Sequence, residues 1–181
     1  MAGNTYTNQD GLTVRYGTDE AKKYVVSEYR TDGPKRLIEI SIDYENLPAS
    51  SSGDATVADT QAVLPSGALI ELVELEVHTA FDDASGDTAT LNVGWVQAAD
   101  ESSNTDIDAF IAAATVAELA VGHKKDGTSP CDGAGRGTKL TENKKIVFSV
   151  GTQAFTAGKG TVRIYYTIPN KATDTLGTVL S

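Results

Sequence analysis

Residues 65–81, PSGALIELVELEVHTAF, open with a Pro-Ser-Gly turn signal and run into a polar loop at residues 82–87. From Val73 the pattern alternates strictly, with Val73, Leu75 and Val77 on one face and Glu74, Glu76 and His78 on the other. A helix would favour an apolar residue seven after Leu69, and Glu76 stands there, so period two predicts a strand. Ile70 and Leu72 flank Glu71 in the opposite phase. That flip between Leu72 and Val73 predicts a β-bulge, or a strand covered on both faces at its start. Such a strand needs a second sheet or a helix over its Val-Leu-Val face.

The same period recurs. Over residues 35–45, Ile38, Ile40, Ile42 and Tyr44 oppose Glu39, Ser41, Asp43 and Glu45, as on an antiparallel strand with one wet face. Residues 88–97 turn Leu91, Val93 and Trp95 inward, and Gly94 marks a bulge or a close backbone approach. Strands follow at 145–150 (Ile146, Phe148 and Val150 inward) and at 161–168. In the last, Val162, Ile164, Tyr166 and Ile168 oppose Thr161, Arg163, Tyr165 and Thr167 before Pro169 closes the strand. Residues 55–64 are a weaker strand candidate. Near the start, Leu12, Val14 and Tyr16 alternate with Thr13 and Arg15, and residues 24–29 offer a second short strand.

One segment reads as a helix. Thr105 begins Thr-Asp-Ile-Asp, a capping-box-like start, and Ile107, Phe110, Ile111 and Ala114 form a stripe that Gly122 stops. Residues 123–137, HKKDGTSPCDGAGRG, read as loop throughout. The pattern as a whole predicts an all-β fold: an antiparallel β-sandwich of jelly-roll type with one short helix inserted between strands. Residues 1–30 form an N-terminal arm or docking segment, 31–169 the sandwich domain and 170–181 a C-terminal tail.

Composition narrows the function classes. The 181 residues suit one domain and can bury a genuine core. A formal charge of −10 and a pI near 4.6 argue against a nucleic-acid binder. No apolar run is long enough to cross a bilayer as a helix, and the first residues lack the basic and apolar regions of a secretory signal. Cys131 stands alone, which excludes an intramolecular disulfide and a cysteine-based zinc site. With only His78 and His123 besides, the composition argues against His-rich metal sites too.

Candidate chemistry is sparse. Gly133, Gly135 and Gly137 lack the Gly-Lys-Ser/Thr and the strand-to-helix setting of a phosphate cradle and read as a surface loop. The acidic loop at 82–87 lacks the spacing of an EF-hand and reads as a solvated hairpin turn. Glu74 and Glu76 lie on one strand face, whereas glycoside hydrolysis needs two acids facing each other across a cleft. No Gly-x-Ser-x-Gly is present, His78 and His123 read as exposed bystanders, and Cys131 has no identifiable activating partner. The reading is non-enzymatic, with no cofactor and no metal. The arm is different: Tyr6, Leu12, Val14, Tyr16, Tyr24 and Tyr29 are costly to leave in water, and Tyr is enriched at interfaces.

The segment NTYTNQDGLTVRYGT (4–18), with LPSGALIELVELEV (64–77) and FTAGKGTVRIYYTIP (155–169), resembles the head decoration, or cement, proteins of tailed bacteriophages. The resemblance implies a β-sandwich made in the host cytoplasm that sits on the outer surface of an assembled virion capsid. It implies that the chain braces neighbouring subunits of the major capsid protein, as a homo-oligomer with a trimer favoured and without nucleic-acid or membrane partners. The partner-binding residues are then Tyr6, Leu12, Val14, Arg15, Tyr16 and Tyr24. The alternative from a different class is a receptor- or glycan-binding sandwich of a phage fibre, for which exposed aromatic rings near the loops would speak.

Overall fold

A computed structural model of the chain describes residues 4–7, 13–16, 25–30, 35–49, 55–56, 62–101, 105–125 and 127–169. These residues form twelve strands: β1 (Asn4–Thr7), β2 (Thr13–Tyr16), β3 (Val25–Arg30), β4 (Lys35–Asp43), β5 (Ala55–Thr56), β6 (Val63–Leu64), β7 (Leu69–Asp83), β8 (Thr90–Gln97), β9 (Asp106–Thr115), β10 (Gly122–Lys124), β11 (Lys144–Gly151) and β12 (Phe155–Thr167). A 3-10 turn at Tyr44–Asn46 follows β4.

The strands pair antiparallel in nested fashion. β8 pairs with β9, β7 with β10, β5 and β6 with β11, and β4 with β12. Contacts between β12 and β7 and between β11 and β8 complete two sheets, β10-β7-β12-β4-β3 and β5-β11-β8-β9, with β6 also on β11. This is a jelly-roll sandwich. Its core is the pair of inner faces: Ile38, Ile40 and Ile42 from β4, Val73, Leu75 and Val77 from β7, and Val162, Ile164 and Tyr166 from β12. They meet Leu91, Val93, Trp95, Ile146, Phe148 and Val150 of the other sheet. Each fully buried aliphatic side chain contributes about 1.5–3 kcal/mol.

The expected bulge in β7 is present. Tyr165 pairs with Leu72 and Tyr166 with Ile70, so Glu71 is the extra residue and the inward phase passes from Ile70 to Val73. Gly94 also behaves as its position suggested: a Cβ there would meet the Asp106 carbonyl oxygen at 2.0 Å, so β9 crosses β8 on bare backbone. The last strand begins earlier than the alternation shows, at Phe155. Gly158 and Gly160 obscure that half, and a Cβ at Gly158 would sit 2.2 Å from the Phe81 ring.

The helix is corrected. The segment after Thr105 is strand β9, and residues 116–119 make only a single tight turn, closed by Leu119 N–H on Thr115 O at 3.0 Å. The reason lies in bulges that imitate a helical stripe. Val93 pairs with Ile111 and Leu91 with Ala114, so one extra residue in β9 turns both Ile111 and Ala114 inward at a spacing of three. Ala113 takes the bulge with φ 48°, and its N–H donates to Asn92 Oδ1 at 2.6 Å. A second irregularity lies between the pairs Val93–Ile111 and Trp95–Asp106. Gly122, expected to stop the helix, and His123 and Lys124, at the start of the segment expected to be loop, form strand β10, laid against Leu75–Val77.

Candidate functional site

The outer face of the first sheet carries most of the ionisable side chains named from the sequence. β4, β12 and β7 lie side by side, so Glu39, Arg163 and Glu74 stand in one row. Arg163 Nε lies 2.8 Å from Glu39 Oε2, and its Nη1 lies 2.8 Å from Glu76 Oε2 in the next row. Glu74 accepts from the Tyr165 hydroxyl at 3.3 Å and stands 3.6 Å from His123 Nε2 on β10. His78 Nε2 and Thr161 Oγ1 are 2.9 Å apart, and Lys159 Nζ reaches Asp43 Oδ2 at 2.7 Å. Arg163 holds the Glu76 carboxyl below its usual value and Lys159 does the same for Asp43, while both cations are held above theirs by these acids. Burial, and then the Glu74 carboxylate, push the Tyr165 phenol up.

These groups satisfy one another along a flat, wet wall. Glu74 and Glu76 share one face and each is engaged by a neighbour, which is not the facing pair across a cleft that glycoside hydrolysis requires. Sequence alternation places Glu39, Glu74, Glu76 and Arg163 on wet faces but not together; only the β4-β12-β7 adjacency does that. One row differs in character. Leu37, Tyr165 and Leu72 are register partners, all half-buried, and form an apolar strip across the same face.

The other candidates become structural. Asp82, Asp83 and Asp87 bring carboxylate oxygens within 4.8 Å of one another. Asp83, however, accepts from the N–H groups of Ser85, Thr88 and Ala89 at 3.0, 2.7 and 2.8 Å and so closes the β7–β8 turn. The glycine loop lies along the edge of β9: Gly133 N–H donates to Phe110 O at 3.3 Å and Gly135 N–H to Ala109 O at 2.8 Å. A Cβ at Gly133 would meet the Ala109 carbonyl at 2.4 Å, and one at Gly135 would meet the Trp95 ring at 2.6 Å. The glycines are there so that backbone can lie against backbone. Cys131 is buried with its Sγ toward Lys124 O. Trp95 is 6 % exposed and packs edge-on against Phe110, with ring centroids 5.1 Å apart, so it offers no open stacking platform. A shallow depression of about 360 Å³ lies beside it, lined by Thr105, Thr138, Thr141, Glu142 and Lys144 among others, with Lys144 and Glu142 paired at 2.7 Å.

Of the residues assigned to partner binding, Tyr6 lies on β1 and Val14, Arg15 and Tyr16 on β2. Register sets Tyr6 opposite Val14, Thr5 opposite Arg15 and Asn4 opposite Tyr16. Leu12 and Tyr24 fall outside the described residues. β1 and β2 form a two-stranded sheet of their own, and β3 is the outermost strand of the first sandwich sheet.

The same fold occurs in phage capsids. A chain of the cyanophage Pam1 capsid asymmetric unit superposes with a TM-score of 0.50 at 21% identity, over 85% of this chain and 98% of that one. A chain in the capsid of Ralstonia phage GP4 superposes with a TM-score of 0.54 at 24% identity, over 77% of this chain and 88% of that one. At these identities the likeness is one of fold. The shares covered also make both matched chains somewhat shorter than this one. No protein-family model matches the chain, and no curated protein matches it.

Proposed function

We propose that this chain is a structural virion protein that decorates the outer surface of a phage capsid and braces neighbouring subunits of the major capsid protein. The observation that carries the reading is the near end-to-end likeness to two small chains within phage capsids. The wall of mutually satisfied charges supports a structural role over an enzymatic one on that face, since Glu39, Glu74, Glu76 and Arg163 are each engaged by a neighbour. A net charge of −10 keeps a densely covered particle soluble and does not compete for packaged DNA.

The segment ahead of β3 is the grip, with Tyr6, Leu12, Val14, Arg15, Tyr16 and Tyr24 as its contact residues. Several grips from one oligomer, a trimer on a symmetry axis, act together by raised effective concentration. Co-sedimentation with assembled capsids tests this directly. The full chain sediments with particles, and a chain lacking residues 1–18 stays in the supernatant while its circular dichroism and a cooperative urea transition show that the sandwich is still folded. Unchanged occupancy of the particles by the shortened chain would sink the proposal.

A further inference from the structure

Sheet edges decide where a β protein can be joined by another chain, because an unpaired edge presents a row of open N–H and C=O groups. Three of the four sandwich edges here are short or covered. β10 spans three residues and β5 two. β9 is long, but Gly133 and Gly135 lie against it through backbone hydrogen bonds to Phe110 and Ala109, at positions where any Cβ would collide. The fourth edge is β3, six residues long, paired along its whole length to β4 on one side and terminal in its sheet on the other. Among the described residues it is the one long edge without such a cover.

The same chain carries a pair of strands that joins neither sheet. Among the described residues, β1 and β2 bond to each other and to no strand of the sandwich. A two-stranded hairpin alone is marginal in water, and a third strand or a packed face is what makes it stable. We propose that the β1–β2 pair of one copy adds to the β3 edge of a second copy, extending its five-stranded sheet. This rests on the reading of the N-terminal segment as a docking arm and names its backbone partner, a second copy of this chain, leaving the arm's side chains for the shell. The contact is heterologous: the donor surface differs from the acceptor surface, so it propagates from copy to copy and ends when a ring closes. Backbone pairing carries it, and the repulsion that a shared charge of −10 sets between copies weakens as salt is added.

Oxidative cross-linking of mixed full-length chains, without capsids, tests it. Copies carrying Thr5→Cys or Thr13→Cys are mixed with copies carrying Ser27→Cys or Glu28→Cys, which sample both strands of the donor and both faces of the acceptor; an Ala117→Cys copy, in the turn after β9, serves as the control acceptor. The expected result is a disulfide between unlike copies for at least one β3 pairing, none with the control, and a solution mass above that of one chain. A single chain carrying one donor and one β3 cysteine that closes only within itself would overturn the proposal, as would cross-linking that does not discriminate β3 from the control, or a monomer that does not cross-link. Because no capsid is present, failure here leaves the co-sedimentation result to stand or fall separately.

Discussion

Asp83 shows how one side chain can be committed to architecture although its neighbours suggest a metal site. Backbone N–H bonds, that from Ala89 foremost, hold its carboxyl below the usual value of 3.8. A depressed carboxyl contributes stability that is complete above its unfolded value and is lost as the pH falls through the folded one. Asp43, Glu76 and Glu118 are depressed as well, by Lys159, Arg163 and Ser129 respectively. Asp106 runs the other way, raised by burial and by Asp108, so its protonation relieves the fold. Four groups against one give a urea midpoint that holds at neutral pH and falls below about pH 4. Asp83→Asn lowers the midpoint at pH 7, because an amide NH₂ then faces a backbone donor, and its difference from the native chain shrinks as the acid is titrated. A difference that persists unchanged at pH 3 would exclude this account of the turn.

At the scale of elements, β12 separates the two faces of the sheet residue by residue. Ile164 is fully buried, and Arg163 beside it bridges Glu39 and Glu76 on the partly wet face. Ile164→Ala removes packed methyls and leaves a cavity, costing about 2–5 kcal/mol. Arg163→Ala costs about 1 kcal/mol or less, and the loss shrinks in high salt, since exposed ion pairs are screened. Urea midpoints at low and high ionic strength separate the two. The glycine loop gives a second test: Gly135→Val forces the loop off β9 and exposes that edge, so light scattering shows self-association beyond that of the native chain.

The same scale shows what the chain made legible. Alternation in β4, β7, β8 and β11 marked their inward faces, and the Leu72–Val73 phase flip marked a real bulge. β9 was misread because bulges space Ile111 and Ala114 like neighbours on a helix, and a single sequence does not distinguish a bulged strand from one turn of such a stripe. The wall around Arg163 was legible only in part, because its acids come from strands more than thirty residues apart and only the nested pairing brings them together. The role of Gly133 and Gly135 was hidden for the same reason: the backbone they approach belongs to a distant strand.

For the whole molecule, register fixes at which end of the first sheet the chain enters β3 and at which end it leaves β12. Register places Thr167 beside Lys35, so the chain departs toward its C-terminus at one end of the first sheet. β3 runs antiparallel to β4 and starts at Val25 opposite Ser41, so the arm enters toward the other end. Val25 and Thr167 thus lie toward opposite ends of the first sheet. With the N-terminal grip proposed above, a folded cargo fused after Ser181 leaves capsid co-sedimentation as it was, while the same cargo fused before Met1 obstructs it; equal loss from both fusions would contradict that polarity. With the grip proposed above, a brick built this way becomes a display platform, because Thr167 heads away from the end of the sheet at which Val25 enters.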